Sequence, residues 1–323
     1  FHGAHPDVQL EMEALHGEPY HTKLKVMASS GELPDVMRLW PGSRSAFVTQ
    51  NGLAEDLRPF LDGRESEFAK MAVAPQGPNG EIYELPVFIT TTHVVFANEK
   101  LMEELDLEFP ETFEELVAQG ETIRDAGYLP IAMSNKAGWQ MQSLLLGTLV
   151  ERAGGQEWFD NAIAGDGASF ADEPFVRALS IIKELNDREL FPNGVNQLDY
   201  SQATELFVQE EAVYYIDGGW KVNELNETLS EEQQARVSLH SFPDIPDQQG
   251  RSGSVSAVPG SGFGMRTGLS EEEQQAAWEW IWFNAGPEGS EMRLKQGSYI
   301  PAYKMDVDQY DLDPLLGELA ALM

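Results

Sequence analysis

The chain has 323 residues, no cysteine, and 54 Asp and Glu against 21 Lys and Arg, which leaves a net charge of −33 at pH 7. The missing cysteines exclude a disulfide framework, a thiolate metal site and a cysteine nucleophile. With 42% hydrophobic residues the chain can still bury a core, and its length predicts about two domains. The excess of carboxylates disfavours nucleic acid and anionic membranes as partners, because like charges repel.

The acidic residues are scattered along the chain rather than clustered. We interpret them as a solvated surface suited to a saline medium, with attraction of a cationic ligand as the alternative. The best apolar run, 85–96, is interrupted by polar residues and is too short for a membrane helix, which needs about 20 residues. The chain begins at Phe1 without an initiator Met or a signal-like run, which indicates a processed or trimmed protein.

Short apolar runs alternate with helix-length segments, a pattern typical of an α/β protein. Capping boxes of Thr112 with Glu115 and of Ser270 with Glu273 mark two helix starts, and Pro174 in a first turn marks a third. In chain order the sequence predicts strands over 8–12, 36–39 and 94–97, a helix from 113 to about 127, a helix beginning near 172, strands over 212–216 and 263–265, and a helix from 271 to about 284. Because helix-length segments separate the strands, parallel pairing is predicted.

Two polar segments are predicted to be crossings between domains: Thr90–His93, and the Gly/Ser-rich segment 251–262. A chain that leaves one lobe at the first crossing and returns at the second makes both lobes discontinuous in sequence. The predicted division is an N-terminal lobe of 1–99 and 262–303, a C-terminal lobe of 100–261 and 304–323, and a hinge near 90–99 and 252–262.

Six short motifs occur in order along most of the chain: HPDV at 5–8, ASSGELPDV at 28–36, GEIYELPV at 80–87, NEKL at 98–101, FPETFEEL at 109–116 and FVQEEAVYYIDGGW at 207–220. Together they resemble the extracellular solute-binding proteins of bacterial ABC importers, in the carbohydrate-binding cluster that includes maltose-binding protein. The resemblance implies an α/β, two-lobed periplasmic-binding-protein fold of the type II kind, with discontinuous lobes joined by a hinge.

The same resemblance implies that the protein captures a mono- or oligosaccharide in a cleft between its lobes and presents it to the permease subunits of an ABC transporter. It further implies a monomer without a cofactor, periplasmic or extracellular, with lipid anchoring through a segment before Phe1 as one possible form. The chain departs from the family pattern in lacking the first strand and the signal sequence, and in ending at Met323, before most members do. In addition, Gln209–Glu211 replaces the family's Gly turn, which leaves the geometry of that turn open.

Sugar recognition requires flat apolar faces for pyranose rings and planar hydrogen-bonding groups for their hydroxyls. Trp40, Trp139 and Trp220 each follow a strand-like run, and the resemblance places them at the cleft. Core packing is the alternative for each of them, and Trp139 can instead open an apolar helix. The resemblance also implies a sugar contact for Arg44, and Ser43 stands where maltose-binding protein has an aspartate, which indicates a different sugar or linkage.

Other ligand-binding candidates lie beside these residues. Gly218 and Gly219 predict a tight turn that aims backbone N–H groups at the ligand, and Asp217 can accept sugar hydroxyls or cap the next helix. The remaining candidates are polar or aromatic: Thr91, Thr92, His93, Gln140 and Tyr299. Hydrogen bonding at the crossing is the alternative for the first three, and core packing is the alternative for Tyr299.

No nucleophile elbow, zinc motif, phosphate loop or nucleotide fingerprint occurs, and the six His show no ligand spacing. We therefore predict no catalytic residue, metal or cofactor. Two rival functions are a solute-binding protein for a polyamine or another cation, which predicts a cleft lined by acids, and a carbohydrate-active hydrolase with two catalytic carboxyl groups. A ligand-sensing partner of a receptor is compatible with the same residues.

Overall fold

The buried apolar side chains belong to two separate units in a computed structural model, which describes residues 1–15 and 17–323. Unit 1 comprises Phe1–Ile89 and Val258–Leu312, and unit 2 comprises Thr90–Ala257 and Asp313–Met323. Each unit is thus built from two stretches of the chain. Among the helices of residues 1–15 and 17–323, none has both the length and the hydropathy of a membrane-spanning segment.

The strands are β1 (Val36–Leu39), β2 (Leu85–Pro86), β3 (Phe88–Thr90), β4 (Val94–Asn98), β5 (Leu129–Ala132), β6 (Ala212–Asp217), β7 (Val237–His240), β8 (Val258–Pro259), β9 (Gly262–Met265) and β10 (Ile300–Pro301). The α-helices are α1 (Glu18–Ser30), α2 (Ala46–Thr49), α3 (Arg58–Leu61), α4 (Glu99–Glu104), α5 (Phe113–Asp125), α6 (Gly147–Ala164), α7 (Glu173–Asp187), α8 (Tyr200–Val208), α9 (Lys221–Thr228), α10 (Glu231–Gln234), α11 (Glu271–Ala285), α12 (Pro287–Lys295) and α13 (Pro314–Leu322). A π-helical turn, Met141–Leu146, leads directly into α6.

Unit 1 contains two small sheets. In the first, β9 lies between β1 and β2 and pairs antiparallel with both, with Val36 opposite Met265 and Leu85 opposite Phe263. The second sheet has the order β10-β3-β8. Side chains of α11, such as Trp278 and Ile281, pack on a core that includes Met265, whereas α1 contributes Leu24 to a cluster with Met37 and Leu39.

Unit 2 is organised around one four-stranded sheet in the order β5-β6-β4-β7. All six residues of β6 are buried, and so are all five residues of β4. Helices α5, α6 and α7 cover the sheet with apolar side chains that form one core with it: Phe113, Leu116, Ile123, Leu149, Val150, Ala178, Ile181 and Leu185. At one end of this sheet, the C-terminal end of β6 lies close to the segments that precede α6 and α8.

The structure confirms the helices that local signals predicted. Both capping boxes are formed, at the start of α5 and at the start of α11, and Pro174 lies in the first turn of α7. Strands were correctly predicted at β1, β4, β6 and β9. The strand predicted over 8–12 was wrong: these residues are not in a strand, and Met12 is 73% exposed, because they have no pairing partner.

The predicted parallel pairing was wrong for most strands. β5 pairs parallel with β6, whereas β4 pairs antiparallel with both β6 and β7, and β9 pairs antiparallel with both β1 and β2. Long helical connections permit either strand direction, so connection length did not determine the pairing. The open question at Gln209–Glu211 is also answered, since Glu210 adopts φ 58° in the turn before β6, a conformation that costs a non-glycine residue about 1 kcal/mol.

The unit boundaries of the structure differ in position from the division drawn from the sequence. Residues 90–99 lie in unit 2, because β4 pairs with β6 and β7, and residues 304–312 lie in unit 1. At the second crossing the chain returns to unit 1 after Ala257, rather than after Ser261 as predicted. The hinge near 90–99 and 252–262 stays a prediction.

Candidate functional site

Three aromatic rings meet near the end of β6 in unit 2. The Trp139 ring centre lies 5.3 Å from that of Tyr200 and 6.2 Å from that of Trp220, with the ring planes tilted by 51° and 54°. They come from the helical residues before the π-helical turn, from the first position of α8 and from the turn after β6. All three side chains are half-buried, so they present apolar surface to solvent while part of each ring packs on the protein.

The Tyr200 hydroxyl fixes this group of rings. It accepts a hydrogen bond from Trp220 Nε1 at 2.8 Å and donates one to Asp217 Oδ1 at 2.9 Å. Burial, together with the neighbouring Asp217 charge, raises the pKa of Tyr200 well above its usual value, so the hydroxyl stays protonated and remains a donor. A hydroxyl that both accepts and donates restricts the rotation of its own ring and of the Trp220 indole.

Asp217 lies behind the rings and is fully buried. Its carboxylate accepts hydrogen bonds from the hydroxyls of Tyr200 and Tyr215 and from the N–H of Gly218, and Lys221 Nζ lies 3.8 Å away. Burial raises the pKa of Asp217, and the Lys221 charge opposes this rise. The prediction that Asp217 caps the following helix was wrong, because α9 has Trp220 at its N-cap position and no side-chain cap. The structure places Asp217 as a support for Tyr200.

Lys221 is fully buried as well, which is rare for a lysine. Its ammonium group donates to Thr204 Oγ1 at 3.1 Å and to Glu224 Oε2 at 2.5 Å, and it lies 4.1 Å from the centre of the Tyr200 ring. Sequence reasoning missed both Tyr200 and Lys221. A local signal was available for Tyr200, because Asp199 with Gln202 forms a capping box at the start of α8, directly before it.

Gly218 and Gly219 permit a close approach at this turn. A Cβ on Gly218 would lie 2.3 Å from the Trp220 ring, and one on Gly219 would lie 2.8 Å from Leu319. The prediction that their N–H groups point at a ligand was wrong, because Gly218 donates to Asp217 at 2.7 Å and Gly219 donates to the carbonyl of Thr91 at 2.9 Å. The two glycines instead allow the indole to fold back over the turn.

A second aromatic surface lies in unit 1 around Trp40, which directly follows β1. Its ring centre lies 4.6 Å from that of His21 and 5.9 Å from that of Tyr20, both from α1. The guanidinium groups of Arg38 and Arg44 lie 5.2 and 5.3 Å from the same indole. Trp40 is half-buried, and its backbone N–H donates to Ser45 Oγ at 2.8 Å.

Arg44 is held in place by α1. It donates to His21 Nε2 through Nε and to Glu18 Oε1 at 3.0 Å through Nη2. Burial, aided by the Arg44 charge, lowers the pKa of His21 to about 4, so a neutral imidazole accepts this bond. Ser43 is exposed on the short 3₁₀ turn Gly42–Ser45. Arg38, which sequence reasoning did not select, lies beside Trp40 because alternate residues of β1 share a face.

The candidates at the first crossing are mostly internal. Thr91 and His93 are buried, and Thr91 Oγ1 donates to the carbonyl of His93 at 2.9 Å. Thr92 is half-buried and its hydroxyl lies 2.8 Å from Ser256 Oγ, whereas His93 Nε2 lies 3.0 Å from Thr148 Oγ1. Sequence reasoning favoured ligand-facing positions for these residues. The structure corrects this for both residues: Thr91 bonds to His93 within the first crossing segment, and His93 accepts a hydrogen bond from the N–H of Ser256 in the second.

The last two candidates differ in environment. Gln140 is 1% exposed, and its Oε1 atom has no hydrogen-bond partner among the residues that the structure describes. Tyr299 in unit 1 is half-buried and stacks on Phe88, with ring centres 4.4 Å apart. Residues 1–15 and 17–323 contain no group of three or more His, Asp or Glu arranged to hold a metal ion, and His16 lies outside the described residues.

Comparisons with known proteins agree on one family. Residues 1–291 match the family model described as bacterial extracellular solute-binding protein. A curated relative, the probable sugar-binding periplasmic protein of Mesorhizobium japonicum, is 22% identical over 216 residues, which make up 65% of this chain and 50% of that protein. The chain spans about half the length of the curated relatives it matches.

Solved structures show the fold. A protein of the thermophilic bacterium Caldanaerobius polysaccharolyticus, described in connection with xylan utilization, is 23% identical with a TM-score of 0.89, over 100% of this chain and 81% of that one. A chitin oligosaccharide binding protein is also 23% identical, with a TM-score of 0.85, over 98% of this chain and 78% of that one. This likeness confirms the predicted α/β fold class of two-lobed solute-binding proteins.

Proposed function

Because this chain belongs to the family of bacterial extracellular solute-binding proteins, we propose that it captures a mono- or oligosaccharide outside the cytoplasm for an ABC importer. The observation that carries the proposal is the aromatic group of Trp139, Tyr200 and Trp220 in unit 2. The names of the relatives support a sugar as the ligand, since they include a probable sugar-binding periplasmic protein and a chitin oligosaccharide binding protein.

The aromatic group has the chemistry that a sugar requires. The apolar C–H face of a pyranose packs on an indole or phenol ring. The plane of Trp139 is tilted by 51° to that of Tyr200 and by 54° to that of Trp220, so the rings present faces in more than one direction. The hydrogen bonds between Trp220, Tyr200 and Asp217 hold these rings before any ligand arrives. Less side-chain entropy is then lost on binding, which favours affinity.

The cationic rival is disfavoured by the charges at both surfaces. A polyamine requires accessible carboxylates, but Asp217 in unit 2 is buried and fully engaged. In unit 1 the groups beside Trp40 are the guanidiniums of Arg38 and Arg44, and Glu18 pairs with the second of these. The abundant acids of the chain therefore belong to its general surface rather than to these two surfaces.

The importer, the monomeric state and the extracellular or lipid-anchored location belong to the same proposal, supported by the family. That one sugar contacts both Trp40 and Trp220, and that a hinge closes on it, stays a prediction from the sequence. Closure requires the ligand to bind the closed state better than the open one. Replacing a ring of either unit would then weaken the same binding event.

The proposal is tested by thermal unfolding of the whole chain with single ligands. The panel pairs neutral monosaccharides with their trisaccharides and includes spermidine and putrescine. A sugar present at about 100 times its Kd adds about 2.7 kcal/mol to the free energy of unfolding and raises Tm, and the better member of each pair shows the preferred length. Stabilisation by the polyamines alone would overturn the proposal in favour of the cationic rival.

Trp220→Ala is expected to weaken sugar binding by about 2 kcal/mol or more, because it removes an indole that the hydrogen bond to Tyr200 holds in the aromatic group. The affinity is measured by calorimetry with the sugar that stabilises the wild type best. Trp280→Ala is the matched control, since Trp280 is also half-buried but lies on α11 in unit 1, packed against Phe283. Unchanged affinity in a folded Trp220→Ala variant would remove Trp220 from the site.

A further inference from the structure

The surface around Trp40 in unit 1 concentrates positive charge. Arg38 and Arg44 both hold their guanidinium groups within 5.3 Å of the indole. Arg293 on α12 is another guanidinium of unit 1: burial lowers its pKa, Tyr299 opposes this fall, and the charge of Arg38 adds to it. The chain as a whole has 54 acidic and 21 basic residues.

Most Lys and Arg side chains in the described part of the chain do pair with a carboxylate, including Arg44 with Glu18. Within residues 1–15 and 17–323, neither Arg38 nor Arg293 forms such a pair. Arg293 donates instead to the carbonyl and the side-chain oxygen of Asn284, at 2.6 and 3.4 Å. A guanidinium without a carboxylate partner can take an external anion as its counter-ion.

Arg38 is oriented for such an anion. Its Nε donates to Ser261 Oγ at 2.8 Å, and the Tyr20 hydroxyl bridges its backbone N–H and carbonyl at 2.9 and 2.8 Å. Both Nη atoms lack an acceptor among the residues that the structure describes, and the side chain is exposed. A guanidinium held through Nε keeps its two outer N–H groups available as a fork for the two oxygens of a carboxylate.

The same surface offers a ring beside this guanidinium, because the guanidinium of Arg38 lies 5.2 Å from the centre of the Trp40 indole. A uronic acid combines a pyranose ring with a carboxylate on an adjacent carbon, which matches an indole next to a guanidinium group. A neutral sugar would leave the charge of Arg38 without a counter-ion.

We propose that unit 1 recognises a uronic acid residue of the carbohydrate, with Arg38 binding the carboxylate through its two Nη groups and Trp40 packing on the ring. The proposal rests on the carbohydrate function proposed above and names the chemical class of that ligand. It assigns to this surface a specificity for acidic sugars.

The test is calorimetry with matched ligands on the full chain: galactose against galacturonate, glucose against glucuronate, and the corresponding trisaccharides. The acidic member of the preferred pair is expected to bind roughly tenfold or more tightly than its neutral partner, as a charge-assisted bidentate contact gives. This advantage should shrink between about 50 mM and about 500 mM NaCl, because salt screens an exposed ion pair.

Arg38→Gln is the diagnostic variant. It keeps a planar hydrogen-bonding group but removes the charge, so the uronate should lose roughly tenfold more affinity than the neutral sugar does. Arg266→Gln is the matched control: it removes one positive charge in the same unit, but Arg266 pairs with Asp35 beyond the end of β9, away from Trp40. We expect it to leave the ratio of the two affinities unchanged, and circular dichroism checks that both variants fold.

The outcomes separate this inference from the proposed function. Neutral sugars that bind as tightly as the uronates, or a uronate affinity that survives Arg38→Gln, would overturn the inference and leave the carbohydrate function standing. Tighter binding of glucose 6-phosphate than of glucuronate would overturn the carboxylate assignment. If no sugar of the panel binds, the proposed function itself fails, and this inference fails with it.

Discussion

Replacing Glu84 by Gln is expected to raise the free energy of unfolding by about 3 kcal/mol near pH 8, while changing it by less than about 1 kcal/mol near pH 5. Glu84 directly precedes β2 in unit 1 and is 2% exposed. Neither of its carboxyl oxygens has a hydrogen-bond partner among the described residues. Burial raises its pKa from 4.5 to about 8, even though the nearby N–H of Gly262 acts in the opposite direction.

The sign of this effect follows from the proton balance. The folded state binds the Glu84 proton more tightly than the unfolded state does, so the stability is complete below about pH 4.5 and falls as the pH rises toward 8. Each pKa unit corresponds to about 1.4 kcal/mol, so ionisation costs the folded state about 4 kcal/mol by about pH 8. A glutamine avoids this cost but adds one buried amide donor, which offsets about 1 kcal/mol.

Urea denaturation of both proteins at the two pH values gives the measurement. Glu81→Gln is the control on the same segment, because hydrogen bonds from Asn79 lower the pKa of Glu81. Its stability contribution is present above the unfolded pKa, so that variant should lose rather than gain stability near pH 8. A Glu84→Gln variant whose stability follows the wild-type pH profile would show that Glu84 is not buried in solution.

The elements that were predicted correctly from the sequence are those whose signals lie among neighbouring residues. The capping box at Thr112 and the proline at position 174 act within one helical turn, so their helices could be located without knowing any distant contact. The strands β1 and β6 could be recognised in the sequence as short apolar runs. The direction in which β4 pairs with β6 could not be predicted, because it depends on residues more than 100 positions apart.

The candidate site shows the same difference between features with a local sequence signal and features that depend on distant residues. Trp139 and Trp220 could be selected from the sequence as rings after apolar runs, and the structure places them together. Tyr200 was not selected, because the capping box before it marks only a helix start, whereas its role comes from a hydrogen bond to Asp217, 17 residues further along the chain. The position of His93 likewise depends on Thr148 and Ser256, which no local pattern connects to it.

Lys221→Met is expected to lower the free energy of unfolding by about 3–5 kcal/mol, because it leaves the carboxylate of Asp217 buried without its cation. Both side chains are fully buried, with Lys221 Nζ 3.8 Å from Asp217 Oδ2. Lys183→Met is the matched control, since Lys183 pairs with Asp187 at the same i,i+4 spacing, with 73% and 53% of the two side chains exposed. An exposed pair of this kind contributes about 0.5 kcal/mol or less.

The double variant Asp217→Asn with Lys221→Met separates the ion pair from simple loss of packing. If Lys221 acts by compensating Asp217, the double variant should lose at least about 2 kcal/mol less than the sum of the single variants, whereas additive losses would contradict this. The pH adds a second readout: without Lys221 the already raised pKa of Asp217 rises further, so the single variant should be less damaged near pH 5 than near pH 8. Because the same carboxylate accepts the Tyr200 hydrogen bond, sugar affinity should fall with stability in this variant, which connects the buried pair to the aromatic group in front of it.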